Sequence, residues 1–215
     1  RDWERMIGHA VGVFRALGLE ATDRLGNFML AGDLYGSFVS FDHINHRLGL
    51  TTFAFAGGSK PETFADIWKK FRINAVQGIP SQLVAFLREA KRIEPALTLE
   101  KVVYAGNPLS PSDRDWLSER LRVRRIASVI GANDGGQIAF QCERMSGALH
   151  HTVDDFNYLE LVDERGRLVP DGRPGKILIT SLLKSAYPLI RYAIGDRGRI
   201  VPGGCPCGRT ARVLE

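Results

Sequence analysis

Cysteine is scarce in this sequence, with three among 215 residues, and an odd number cannot pair completely within one chain. No disulfide framework is expected. Reduced thiols in a cytoplasmic protein remain, either as small buried apolar groups or as metal ligands. Long apolar runs are also missing, and none approaches the roughly 20 residues that span a bilayer. Repeats, a low-complexity linker and a charged-then-apolar secretory leader are absent as well. The chain opens on Arg1 inside a helical pattern, so its natural start is expected upstream.

What is present resembles an ordinary soluble domain: 44% hydrophobic and 25% charged residues, close to globular averages, in a length that suits one large core or two small ones. The formal net charge of +5 is compatible with a nucleic acid, a membrane surface or a phosphorylated small molecule. The densest basic stretch, Arg120, Arg122, Arg124 and Arg125, has no interleaved aromatics to stack on bases and runs into the apolar segment 126–130. It reads as a solvated helix end. Neither a nucleic-acid nor a membrane partner is expected.

The first two-thirds alternate helical and strand-like patterns, the signature of a mostly parallel sheet flanked by helices. Helices are expected over 2–17, 38–48, 61–71, 81–92 and 112–121, and strands at 28–30, 51–56, 75–77, 101–105 and 125–130. From Gly135 onward, turns such as Asp163-Glu-Arg-Gly166 and Pro170-Asp-Gly172 separate short runs, so the fold class is α/β followed by a β-rich portion. The division is expected as 1–135 and 136–215, a change of layer rather than a linker.

Three groups of residues could carry chemistry. Cys142, His150, Cys205 and Cys207 supply the four donors of a tetrahedral zinc site. His150 and His151 are neighbours, and in an extended segment only one can face the site; His150 is preferred. The competing reading makes the cysteines buried apolar groups and the histidines surface residues. Pro188-Leu-Ile-Arg-Tyr-Ala-Ile-Gly-Asp196 is an apolar strand ending in a glycine and a carboxylate, suited to ribose hydroxyls or to a plain β-turn. Ser128-Val-Ile-Gly-Ala-Asn-Asp-Gly-Gly136 follows a strand and offers backbone donors and a magnesium ligand, or a structural turn. Gly78-Ile-Pro-Ser81 and Ala105-Gly-Asn-Pro-Leu-Ser110 stand at similar strand ends and also read as helix starts.

Taken in order, these segments resemble the phenylacetate coenzyme A ligase family of adenylate-forming enzymes along nearly the whole chain. Residues 78–81 resemble its Gly-Thr-Pro-Ser, 106–110 its Gly-Ala/Gly-Glu-Pro-Leu-Ser, and 130–136 its Tyr-Gly-x-x-Glu loop. Leu149 and His150 with Asp154 and Phe156 are similar to its Leu-His-x-x-Glu-Asp-x-Phe, residues 188–196 to its Pro-Leu-Ile-Arg-Tyr-x-x-Gly-Asp, and 205–209 to the Cys-x-Cys-Gly-Arg of zinc-bearing members. The resemblance implies adenylation of a carboxylic acid by ATP, with an aromatic acid expected, and then transfer to coenzyme A with release of AMP. It implies that Gly131, Ala132, Asn133 and Asp134 lie along the adenylate, with Asp134 catalytic in the place of a Mg2+-binding glutamate. Asp196 is placed on the ribose, Arg209 at a hinge touching the nucleotide, and Zn2+ on Cys142, His150, Cys205 and Cys207. A homodimer is compatible with it.

The sequence also departs from the family pattern. Ile130 replaces a tyrosine, Asp134 is a methylene shorter than glutamate, Asn107 stands where an acid is usual, and Arg173 and Lys176 replace glutamates. The family's phosphate loop and lid lysine do not fall within these residues, so the segment alone is expected to form neither adenylate nor thioester. A zinc-stabilised non-catalytic module that binds a nucleotide, or a basic nucleic-acid binder, are the alternatives.

Overall fold

The computed structural model describes residues 1–32 and 35–215 and separates into two compact units, Gly18–Ser128 and Arg1–Leu17 with Val129–Glu215. The chain opens with helix α1 (Asp2–Ala16), whose Ile7, Ala10, Val13 and Phe14 recur at helical spacing and are buried. Strand β1 (Arg24–Phe28), helix α2 (Ser37–Leu48) and strand β2 (Thr51–Ala54) follow. Then α3 (Pro61–Phe71), β3 (Ala75–Gly78), α4 (Pro80–Ile93), β4 (Lys101–Tyr104) and α5 (Pro111–Arg120) alternate before β5 (Arg125–Ala132).

Within Gly18–Ser128 the strands form a parallel sheet in the order β2-β1-β3-β4-β5, with residues 125–128 of β5 pairing with β4. This is the helix-flanked parallel sheet expected from the alternating pattern. All four residues of β3 are buried, as both faces of such a sheet are covered. Helices α3, α4 and α5 each begin on a proline, whose missing N–H is no loss in the first turn. Ser110 Oγ accepts from Asp113 N at 3.1 Å and so caps α5. Phe28 and Phe55 stack at 4.8 Å and Phe64 meets Phe28 edge-on at 5.3 Å, anchoring a core that takes in Val76, Leu87, Val102 and Leu117.

At the amino ends of these strands a buried carboxylate ties together the segments that enter β1, β3 and β4. Asp23, 2% exposed, accepts from Lys101 Nζ (2.9 Å), Asn74 Nδ2 (3.0 Å) and the backbone N of Glu20 (2.8 Å). A buried charge so paired and hydrogen-bonded is tolerated where an isolated one is not.

In the second unit all sheet pairing is antiparallel. The end of β5 pairs with β6 (Gly136–Phe140), then β7 (His150–Thr152) pairs with β6. Strands β8 (Asn157–Val162), β9 (Gly175–Ser181) and β10 (Tyr192–Gly198) make a separate three-stranded sheet. The short strands β11 (Ile200–Val201) and β12 (Val213–Leu214) complete the first sheet in the order β6-β7-β12-β11. Ile138, Leu159, Leu161, Ile177, Ile179 and Leu214 form the core between them. The turn from parallel to antiparallel pairing falls at β6, which begins at Gly136. No described helix is long and apolar enough to cross a membrane.

The N-terminal helix is tied to this second unit. Asp2 accepts from Ser185 N (2.7 Å), Ser185 Oγ (2.8 Å) and Ala186 N (2.8 Å), and these bonds, that from Ala186 foremost, hold its carboxyl down at about 2. His9 Nε2 meets Asp155 Oδ2 at 2.9 Å.

Candidate functional site

The three cysteines converge. Cys142 follows β6 and is fully buried, whereas Cys205 and Cys207 sit half-buried on the turn between β11 and β12. That turn closes with Gly208 N donating to Cys205 O (3.3 Å), and Gly208 takes φ 80°, a left-handed value that a side chain would oppose. Strand β7 brings up the fourth donor. His151 Nε2 lies 3.2 Å from Cys207 Sγ, and Cys142 Sγ lies 3.7 Å from Cys205 Sγ.

The histidine is His151 and not the expected His150. Both lie in β7, where successive side chains point to opposite faces, so bringing one to the thiols turns the other away. His150 instead places Nδ1 2.7 Å from Ala148 O, and burial lowers its pKa, against the pull of that bond.

The four donor atoms of Cys142, His151, Cys205 and Cys207 all lie within 4.8 Å of one another. A tetrahedral zinc with bonds of about 2.0–2.3 Å separates its ligand atoms by roughly 3.5–3.8 Å, so the set fits with small adjustments. Burial drives the Cys142 thiol up to about 11. At Cys207 burial also pushes upward, but hydrogen bonds from the backbone and side chain of Arg209, and then from Cys205 and Cys142, bring it down to about 6. Arg144 N points at Cys142 Sγ from 3.4 Å. Donors aimed at sulfur are what thiolate ligands require.

Gly131 and Ala132 end β5, opposite Gln137 and Gly136, and Asn133 and Asp134 lie in the tight reversal that leads into β6. The crossing is close: a Cβ on Gly135 would stand 2.6 Å from Ile179 Cδ1. Asp134 is exposed, and its Oδ2 accepts from the hydroxyl of Tyr192 at 2.9 Å, which raises the pKa of that hydroxyl. Lys184 is near enough for Asp134 to raise its pKa, although burial outweighs this and lowers it overall. Tyr192 was visible only as part of a motif. Its pairing with Asp134 joins residues 58 apart in sequence, beyond any local pattern.

Asp196 stands on an irregularity in β10. The register with β9 shifts between Ala193 and Arg197, and Gly195 at φ 94° lets the strand bulge. The Asp196 carboxylate is exposed with no hydrogen-bond partner among the described residues. Arg209 lies 5.9 Å from the Phe140 ring, beside the thiols. Gly78 and Gly106 stand at the carboxyl ends of β3 and β4, where Pro80 and Ser110 start α4 and α5.

A family model described as AMP-binding enzyme matches residues 6–182, most of the chain. The chain belongs to that family. It is 28% identical over 163 residues to a phenylacetate-coenzyme A ligase of Pseudomonas putida, covering 73% of this chain and 36% of that one. It is 27% identical over 225 residues to that of Escherichia coli K12, covering all of this chain and 48% of the relative. The chain thus spans less than half the length of these relatives. Among solved structures, a 2-hydroxyisobutyryl-CoA ligase bound to 2-HIB-AMP and CoA superposes with a TM-score of 0.86 at 22% identity, over 99% of this chain and 51% of that one. The fold is that of these ligases.

Proposed function

We propose that the protein containing this chain is an AMP-forming acid–thiol ligase, which activates a carboxylic acid, of aromatic type, with ATP and passes the acyl group to coenzyme A. The similarity to a phenylacetate-coenzyme A ligase over the full chain carries this reading. The acid's carboxylate attacks the α-phosphorus of ATP, pyrophosphate leaves, and an acyl-adenylate forms. The thiol sulfur of coenzyme A then attacks the acyl carbon and AMP leaves.

Individual residues suit parts of this chemistry. The exposed Asp196 carboxylate has lone pairs for two ribose hydroxyls, and it stands where β10 leaves its regular pairing with β9. Gly131, Ala132, Asn133 and Asp134 would lie along the nucleotide. Asp134, steadied through Oδ2 by Tyr192, keeps Oδ1 for Mg2+, whose charge would offset that of the phosphates. Arg209 would reach the nucleotide from the cysteine turn. Cys142, His151, Cys205 and Cys207 would hold a structural Zn2+, and their reduced thiols suit a cytoplasmic protein. A homodimer is compatible with this reading.

The test is pyrophosphate exchange and thioester formation by the intact protein with a panel of aryl and alkyl acids. Exchange and thioester with at least one aryl acid are expected. No turnover with any acid would replace this reading with a nucleotide-binding module that has lost catalysis, the alternative favoured by the shorter Asp134.

A further inference from the structure

In the Gly18–Ser128 unit a cleft of ≈ 450 Å³ opens at the amino-terminal ends of β3, β4 and β5. The end of α3 supplies Trp68, Lys69 and Arg72, and the segments entering β4 and β5 supply Glu100, Arg122 and Arg124. Four cationic residues and one acidic residue thus line the cleft. None of the four has an acidic partner among the described residues, whereas Arg88, Arg92, Arg167, Arg197 and Arg212 are all ion-paired. Arg122 and Arg124, from the basic stretch that reads in sequence as a solvated helix end, line the same cleft as Trp68. The Trp68 indole is fixed there by Nε1 donating to Thr98 O at 3.0 Å.

Two of the cations occupy backbone positions that do not suit them. Arg72 and Arg122 have φ of 54° and 61°, in the left-handed region where glycine is the easy choice. An arginine at each keeps a planar guanidinium at the cleft, and guanidinium forks match phosphate oxygens two at a time. The positive field reaches the neighbouring Lys91, whose pKa is lowered first by burial and next by Arg122.

From the convergence of Lys69, Arg72, Arg122 and Arg124 on one cleft beside an indole, we infer a binding site for a small oligophosphate anion. It lies at the opposite strand ends from Gly78 and Gly106, so it is separate from the site proposed for adenylation and does not rest on that reading. Free oligophosphate and a nucleotide share the chemistry the cleft recognises.

The experiment is calorimetric titration of the intact protein with sodium tripolyphosphate, with ATP, and with citrate as a non-phosphate trianion. One tripolyphosphate per chain is expected, bound more weakly as salt rises. Arg72→Gly with Arg122→Gly should weaken it at least tenfold while leaving Tm unchanged or higher, because glycine relaxes both left-handed positions. Arg124→Gln should weaken it too, with no backbone change involved. ATP heat that falls in the same variants identifies a nucleotide as occupant, and tripolyphosphate heat alone falling identifies free oligophosphate. Absence of saturable binding, binding indifferent to these variants, or citrate held as tightly would overturn the assignment.

Discussion

At the scale of single residues, the histidine pair gives the sharpest test of the metal centre. His151→Ala should weaken zinc binding by more than about 100-fold, since loss of even an outer partner of a ligand costs about 10–100-fold. His150→Ala should leave about one zinc per chain by elemental analysis, and the reverse pattern would restore His150 as the ligand. Asp196→Ala in the intact protein should cost about 3–6 kcal/mol in ATP binding, taking about 1.5–3 for each of two hydrogen bonds to a charged acceptor. Its stability should change by no more than about 0.5 kcal/mol, because the side chain is exposed and has no partner among the described residues. Unaltered ATP kinetics would remove Asp196 from the ribose. The sequence carried the residue types of both sites but not their orientation. Alternation along β7 says that one histidine faces the thiols, and only the strand's pairing with β12 decides which.

At the scale of elements, helix boundaries were the most legible features, because prolines at 61, 80 and 111 start α3, α4 and α5, and Gly49 in left-handed conformation closes α2. Ser110→Ala should lower stability by about 1 kcal/mol in denaturant titration, the usual cost of an N-cap hydroxyl. Strand β1 was placed too late, at 28–30 rather than Arg24–Phe28. Gly26 and Asn27 look like loop residues, yet Asn27 is fully buried, with its side-chain oxygen accepting from Met29 N at 3.1 Å. The association of α1 with the β-rich half had no local signature, since it runs through Asp2 to Ser185. That contact has a pH consequence. A carboxyl lowered from 3.8 to about 2 on folding adds stability that is present above pH 3.8 and lost as pH falls through 2. Asp2→Asn should therefore flatten the fall in Tm between pH 4 and pH 2 relative to wild type. Parallel acid limbs in the two proteins would show that the bonds to Ser185 and Ala186 do not form in solution.

At the scale of the molecule, the alternation of helix and strand announced the parallel sheet, and the order of short motifs announced the family to which the chain belongs. The cleft at the strand amino ends was not legible, because it joins Arg122 and Arg124 of the basic stretch to residues of α3 and of the segment entering β4, with no local pattern linking the three. The thiol cluster joins residues farther apart still: Cys142 and Cys205 are 63 positions from each other, and all of β8, β9 and β10 lies on the chain between them. A metal held at both ends would close that stretch into a ring in the folded chain, and because such a site does not survive unfolding, its binding free energy would be folding free energy. The ion would then act as a clasp on a ring that includes the bulge under Asp196, so stripping it should loosen the proposed ribose-binding carboxylate although no metal ligand touches it. Hydrogen exchange across β8 to β10, measured with and without a chelator, reads this directly: amides there should lose protection together when the metal leaves, while those of α3 and α4 keep theirs.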